Sequence, residues 1–307
     1  QWQRETGHGS ADSVSGPASI FRGHLAGITS VVASPTQPLA YSGSLDSRIG
    51  VWRVGGGGGS GADSFAISEL VGHTDAVWDL SLSTRASLLA SVSADATCRL
   101  WSTTAGKDSS SSSSVLTHIR DKRTVPTSVA FTAMDGSRLA IGYADGRIET
   151  LDTQRGGGGA AMAAHQQHQQ LNGRITKVVS RPDESENVVG AACADGSVHL
   201  FDLRSGKAVL SPATGIAAYP QRGIAATAVD LWTAGGGGMA VVTGGSDGVV
   251  RWWDWRRALA SVHEVRAHTR KGDEGVCAVC VVPPGSNSTM VASAGADGSA
   301  KLFRNTQ

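Results

Sequence analysis

Residues 72–101 read GHTDAVWDLSLSTRASLLASVSADATCRLW, and this stretch decides the fold. A Gly72-His73 pair precedes a short strand-like run, Val77-Trp78-Asp79-Leu80-Ser81-Leu82. A second run, Leu88-Leu89-Ala90-Ser91-Val92, stops just before Asp95, and a third, Cys98-Arg99-Leu100-Trp101, follows it. Short β-rich runs separated by turn residues predict strands, the last two joined by a tight turn at Asp95.

Working outward, the same pattern recurs along the whole chain. An Asp in a turn of small residues returns at Asp46, Asp95, Asp145, Asp195, Asp247 and Asp297, at intervals of 49 to 52 residues. Six residues after each comes a bulky apolar residue: Trp52, Trp101, Leu151, Phe201, Trp253 and Phe303. Self-similarity at a fixed period marks a repeat architecture. In the last four units the turn reads Asp-Gly, which suits the positive φ angles of hairpin turns. Gly23-His24 opens the first unit as Gly72-His73 opens the second, and the distance from His to Asp is 22 residues in both.

These residues resemble the WD40 family, whose repeats open near Gly-His and close near Trp-Asp, each supplying four strands of a propeller blade. The resemblance implies an all-β WD40 propeller over residues 1–307 as a single domain. It has six recognisable blades plus the remnant of a seventh in residues 1–22, where Trp2 would close that blade and Ser19 to Arg22 would be its outer strand. The family's structural tetrad falls on His24, Ser42, Asp46 and Trp52, and on His73, Ser91, Asp95 and Trp101. A buried Asp and His are costly alone but tolerable when hydrogen-bonded to each other, to a hydroxyl and to an indole N–H. Later units depart from it. Ile141 and Ala191 replace the hydroxyl, and the fifth unit, with Thr243, Asp247 and Trp253, has no evident His, so these blades are expected to lean on apolar packing. Truncation of a seven-bladed ring would leave sheet edges open. The chain is therefore expected to be poorly soluble, and a version longer by one repeat of roughly 40–45 residues to be monomeric.

More specific words point to one branch of that family. Ser19-Ile20-Phe21-Arg22-Gly23-His24, Tyr41-Ser42-Gly43-Ser44 and Leu70-Val71-Gly72-His73-Thr74-Asp75-Ala76-Val77-Trp78 are similar, in order and in content, to the carboxy-terminal propeller of the striatins. Ala267-His268-Thr269-Arg270-Lys271, and Ala292 to Asp297 followed by Ala300-Lys301-Leu302-Phe303, resemble its last blade. The resemblance implies a scaffold that recruits protein phosphatase 2A and kinases into one assembly. The coiled coil for oligomerisation lies upstream of the propeller in that family, outside this stretch.

Composition excludes some partners. Lys and Arg number 27 against 26 Asp and Glu, a formal charge of +1, so no basic field would gather nucleic acid. No apolar stretch is long enough to span a bilayer. Four cysteines, Cys98, Cys193, Cys277 and Cys280, are too few and too scattered for a disulfide framework, and a cytoplasmic address is expected.

Four low-complexity tracts, at Gly55 to Gly59, Ser109 to Ser114, Gly156 to Gly159 and Gly235 to Gly238, read as flexible loops on one rim. The opposite rim is kept short, with a single expansion at Thr269 to Gly275. That compact rim, with Thr269, Arg270, Lys271, Asp273 and Glu274, is the expected partner-binding face; the competing reading is a solvated surface loop. Trp253-Asp254-Trp255-Arg256 looks like the Trp-Asp-x-Arg box of substrate receptors for cullin–RING ubiquitin ligases. In it Trp255 and Arg256 are candidate contacts, since aromatic and Arg anchors dominate interfaces.

No catalytic, cofactor or metal site is expected. Gly244-Gly245-Ser246-Asp247-Gly248 fits the G-x-S-x-G string of a hydrolase, a remote alternative, but that motif needs a strand-to-helix turn. Gly56 to Gly61 fits G-x-G-x-x-G without a βαβ unit. Cys277-Ala278-Val279-Cys280 has the spacing of a metal or redox pair, yet residues three apart in a strand point to opposite faces, and both read as buried strand cysteines. His165 and His168 belong to a Gln/His tract, and the sequon Asn287-Ser288-Thr289 is expected to be unmodified.

Overall fold

A computed structural model describes residues 2–4, 21–54, 64–65, 67–83, 85, 87–103, 116–119, 124–153, 163–167, 170–181, 185–203, 207–210, 223–234, 238–254, 261–282 and 290–305. All named elements are strands, and among the described residues no helix is long and apolar enough to cross a membrane. β1 (Trp2–Arg4) and β2 (Phe21–Arg22) come first. Blade 1 is β3 (Ile28–Ala33), β4 (Leu39–Ser44), β5 (Ile49–Arg53) and β7 (Ser68–Leu70), with β6 (Ser64–Phe65) between the last two. Blade 2 is β8 (Val77–Leu82), β9 (Leu88–Ser93), β10 (Thr97–Ser102) and β11 (Leu116–Ile119); blade 3 is β12 (Pro126–Phe131), β13 (Arg138–Tyr143), β14 (Ile148–Asp152) and β15 (Ala163–Gln167). Blade 4 is β16 (Ile175–Arg181), β17 (Ser185–Cys193), β18 (Val198–Asp202) and β19 (Lys207–Leu210). Blade 5 is β20 (Ala226–Ala234), β21 (Gly238–Gly245), β22 (Val249–Asp254) and β23 (His263–Arg266), and blade 6 is β24 (Val276–Val282), β25 (Met290–Gly295) and β26 (Ala300–Asn305). Among the described residues the protein is all-β, built of four-stranded antiparallel sheets of the kind that form WD40 propeller blades.

Two compact units divide the chain. One contains His8–Tyr143 and Glu149–His165, hence most of blades 1 to 3; the other contains Gln1–Gly7, Ala144–Ile148 and Gln166–Gln307, hence blades 4 to 6.

Within each unit the core lies between successive blades. In the first, Tyr41, Ile49, Val51 and Leu70 of blade 1 pack on Val77, Leu80, Leu89 and Trp101 of blade 2. Ala90, Val92, Cys98 and Leu100 pack in turn on Val129, Phe131, Leu139, Ile141 and Leu151. In the second unit Leu200 and Val198 meet Val229, Val241 and Trp253, and Trp252 meets Phe303 edge-on at 5.6 Å among Val276, Val281 and Val291. Each blade is thus apolar on both faces, which is why its strands read as nearly continuous apolar runs and not as a strict alternation. Gly43 shows how tight the junction is, since a Cβ there would stand 2.8 Å from Val77 Cγ1.

Every inner strand carries a β-bulge at its second residue, where the register skips Thr29, Trp78, Thr127, Thr176, Thr227 or Cys277. The extra residue leaves the ladder and turns its side chain aside. Thr29 Oγ1 donates to Val77 O of the next blade at 2.5 Å, Thr176 Oγ1 to Ala226 O at 2.5 Å, and Thr227 Oγ1 to Val276 O at 2.5 Å. Two buried carboxylates add braces. Asp79 accepts from Ser30 Oγ of blade 1 at 3.0 Å and from Ser128 Oγ of blade 3 at 2.5 Å. In the other unit Asp230 accepts both Arg181 Nε (3.1 Å) and Nη2 (2.5 Å) from blade 4, and Val281 N (2.7 Å) from blade 6. Buried charges satisfied by several donors are tolerated where a lone one would not be.

Three details differ from the sequence-based expectation. β1 does not lie in a blade of its own; it pairs antiparallel with β26, Trp2 opposite Asn305, and becomes the outer strand of blade 6. There it supplies partners to an otherwise open sheet edge. β2 pairs in parallel with β6. Third, Cys277 and Cys280 are exposed, not buried, and the bulge at Cys277 interrupts the two-residue alternation between them.

Candidate protein-interaction rim

The end of each blade that carries the Asp turn is built from short connections. In all six units the Asp carboxylate accepts the backbone N–H two residues on: Arg48 (3.0 Å), Thr97 (2.9 Å), Arg147 (3.1 Å), Ser197 (2.8 Å), Val249 (3.1 Å) and Ser299 (3.0 Å). This local bond holds the hairpin turn whether or not a His is present, which explains why Asp recurs in every unit.

Where a His is present it joins that turn to the core. His24 Nδ1 lies 3.0 Å from Asp46 Oδ2, His24 Nε2 is 2.7 Å from Ser42 Oγ, and Trp52 Nε1 donates to the same Oγ at 2.7 Å. In blade 2, His73, Asp95, Ser91 and Trp101 repeat this at 2.9, 2.7 and 2.8 Å. Because the carboxylate only accepts, the ring places an N–H on Nδ1 facing it, and the Ser oxygen that accepts the Trp N–H still has its own proton to donate to Nε2. Burial pushes the Asp95 carboxyl up, but hydrogen bonds from His73 and Thr97 outweigh it and hold it well below the usual carboxylate range.

A third such network was not legible. His268 Nδ1 is 3.0 Å from Asp297 Oδ1 and its Nε2 is 2.8 Å from Ser293 Oγ, with Phe303 in the Trp position. Its His-to-Asp distance is 29 residues, seven more than in the first two units: four of the seven precede the inner strand, His268 standing eight residues before Val276 against four from His73 to Val77, and three fall between Val276 and Asp297. In blade 5 Arg251 takes the place of His, with Nη2 2.7 Å from Asp247 Oδ2 and Nε 3.1 Å from Glu264 Oε1; Trp253 Nε1 donates to Thr243 Oγ1 at 2.9 Å. Blade 4 sets Asp195, Ser197 and His199 in series, Ser197 Oγ being 2.6 Å from Asp195 Oδ1 and 2.8 Å from His199 Nε2. The buried His199 ring stacks on Phe201, and burial lowers its pKa.

The inserted loop is folded. Lys271 N donates to Glu274 O at 2.8 Å, Glu274 N donates back at 3.3 Å, and Gly272 takes φ 63° at the turn between them. Thr269 N anchors one end to Asp297 Oδ2 at 3.1 Å. Gly275 is buried at the other end, where a Cβ would collide with Gly248 N. Thr269, Arg270, Lys271, Asp273 and Glu274 are all exposed, Arg270 reaching Asp273 at 3.4 Å. Blade 1 shows a different surface at the same end: Leu25 and Leu45 are exposed where other blades carry Thr74, Thr269, Ala144 or Ala194.

The four low-complexity tracts lie mostly outside the described residues, as do Trp255, Arg256, His168 and the Asn287 sequon. The strands flanking those tracts end opposite the Asp turns. Ser246, the serine of the hydrolase-like string, is buried in its turn and accepts Ala225 N at 3.0 Å.

Residues 15–53, 65–102 and 260–304 match the family model for the WD domain, G-beta repeat. The chain carries WD40 repeats over these three stretches. Within that class it is striatin-like: it is 30% identical to Striatin-4 of Mus musculus over 292 residues, 94% of this chain and 36% of that protein. It is 29% identical to Striatin-3 of Homo sapiens (94% and 34%) and 28% identical to Striatin of Mus musculus (94% and 35%). The chain thus spans about a third of the length of these curated relatives.

Proposed function

We propose that this chain is a non-catalytic protein-interaction scaffold, a striatin-like WD40 module that binds subunits of phosphatase and kinase complexes in the cytoplasm. The observation that carries this reading is the folded, charged hairpin at Thr269–Gly275. It is fixed at both ends, so its side chains are presented with little ordering left to occur on binding, which favours affinity. Exposed Leu25 and Leu45 add an apolar surface at the corresponding end of blade 1, the kind of contact that carries energy in an interface. The hydrolase alternative loses support because the Ser246 oxygen is engaged by a backbone N–H. The ubiquitin-ligase alternative rests on Trp255 and Arg256, outside the described residues.

The test is purification of the tagged chain from cells, with the captured subunits identified by mass spectrometry. Phosphatase and kinase subunits are expected well above an unrelated WD40 control. Their absence from a correctly folded sample, or their replacement by a ligase adaptor, would overturn the proposal.

A further inference from the structure

Two threonines occupy the same place in the repeat, each directly after a buried tetrad histidine. Thr74 N donates to Asp95 Oδ2 and Thr269 N to Asp297 Oδ2, both at 3.1 Å. Both residues are exposed, and among the described residues no hydrogen bond holds either hydroxyl. Their surroundings differ. Three residues before Thr74 stands Val71; three before Thr269 stands Arg266, and Arg270 and Lys271 follow directly. Arg266 ends β23, the outermost strand of blade 5, and its exposed side chain has no partner among the described residues. Ala267 and His268 between them are buried, with both N–H groups on Gly248 O at 2.9 Å, so the fold itself fixes how far apart Arg266 and Thr269 stand.

We infer that Thr269 is a phosphorylation site for an arginine-directed Ser/Thr kinase. Such an enzyme selects a hydroxyl by pairing its own carboxylates with a guanidinium three residues ahead, a charge-assisted contact that Val71 cannot offer on behalf of Thr74. In the reaction Mg·ATP gives its γ-phosphoryl group to Thr269 Oγ1. The new O–P bond replaces the bond to the β–γ bridging oxygen, ADP leaves with that electron pair, and the hydroxyl proton passes to the kinase's carboxylate base. The product carries about −1.5 to −2 charge at neutral pH. It lands on a hairpin whose own charges balance, Arg270 and Lys271 against Asp273 and Glu274, and beside the Asp297 carboxylate that anchors Thr269 N. Hydrogen bonds from Ser299 and Thr269 hold that carboxyl well below the usual range, so two anions would face one another across a single N–H. Their repulsion frees the anchored end of the hairpin, while the phosphate draws Arg270 from its exposed pair with Asp273. That this would regulate partner binding rests on the interaction reading above; the modification itself does not.

The test is incubation of the purified chain with Mg·ATP and the catalytic subunit of cyclic-AMP-dependent protein kinase, with sites and initial rates read by mass spectrometry. Thr269 is expected to be modified at least about tenfold faster than Thr74, and Arg266→Ala to slow Thr269 by a similar factor, as loss of one charge-assisted contact does. Val71→Arg, a change at an exposed position, is expected to raise the rate at Thr74. An unmodified Thr269, modification of the heat-unfolded chain only, an unchanged rate in Arg266→Ala, or a Thr74 indifferent to Val71→Arg would overturn the inference. In the phosphorylated chain, amide hydrogen exchange of residues 269–275 is expected to quicken at least about fivefold, as local opening becomes easier once an anchor is lost. Unchanged exchange in a fully phosphorylated sample would contradict the released anchor.

Discussion

Blades 2 and 3 are neighbours in one unit and reach the same four-stranded architecture by different chemistry. Blade 2 fills the space behind its Asp turn with His73, Ser91 and the Trp101 indole, all hydrogen-bonded. Blade 3 fills it with Ile141 and Leu151, both fully buried, and places a polar contact beside them, Tyr143 Oη donating to Glu149 Oε2 at 2.9 Å. What both keep is the Asp turn and the apolar residue six positions later. The polar tetrad is thus one way of filling the blade core, whereas the turn and the closing apolar residue are required for the blade.

The sharpest way to break this comparison is to empty both cores. Trp101→Ala is expected to cost about 4 kcal/mol and Leu151→Ala about 3 kcal/mol, as large buried truncations do. Both would be read from denaturant unfolding; a blade 3 substitution under 1 kcal/mol would mean that its apolar core is dispensable. Next comes the hydroxyl position. Ser91→Ala strands the Trp101 N–H and His73 Nε2, and Ile141→Ser buries a hydroxyl without a network, so each is expected to cost about 2 kcal/mol. A neutral Ile141→Ser would show that blade 3 can accommodate the polar solution. The smallest effect concerns pH. Burial lowers the His199 pKa in the folded chain, so the unfolded chain takes up the proton first. Stability is then greatest above the ordinary histidine value near 6.5 and falls as pH drops through that value toward the folded one. His199→Gln should reduce that slope; an unchanged slope would assign it to other groups.

Much of this was legible in the sequence because the informative residues are local or regularly spaced. The six Asp turns, the six closing residues and the residues of the first two tetrads follow from positions 22 and 6 residues apart. The network of His268 was obscured by seven extra residues, four ahead of the inner strand and three between Val276 and Asp297, which stretch its spacing to 29 residues. Arg251 was missed because it approaches Asp247 from within its own strand. The braces at Asp79 and Asp230 were missed for another reason: their partners lie one repeat away, and Ser30, Ser128 and Arg181 are unremarkable residue types. A signal did exist for the bulge hydroxyls, since Thr29, Thr127, Thr176 and Thr227 each follow the first residue of an inner strand. Trp78 and Cys277 interrupt that series. The exposure of Cys277 and Cys280 was not deducible from alternation, which the bulge at Cys277 breaks.

We propose that the compact end of the blades, through the Thr269–Gly275 hairpin, holds protein partners. The most direct measurement is quantitative co-purification of phosphatase and kinase subunits by the unsubstituted chain, by an Arg270→Glu/Lys271→Glu variant, and by a variant whose Gly55–Gly59 and Gly156–Gly159 tracts are shortened. The hairpin variant is expected to lose at least about tenfold of the captured subunits, as disruption of an interface centre does, while the tract variant keeps them. Full capture by the hairpin variant together with loss in the tract variant would contradict the account.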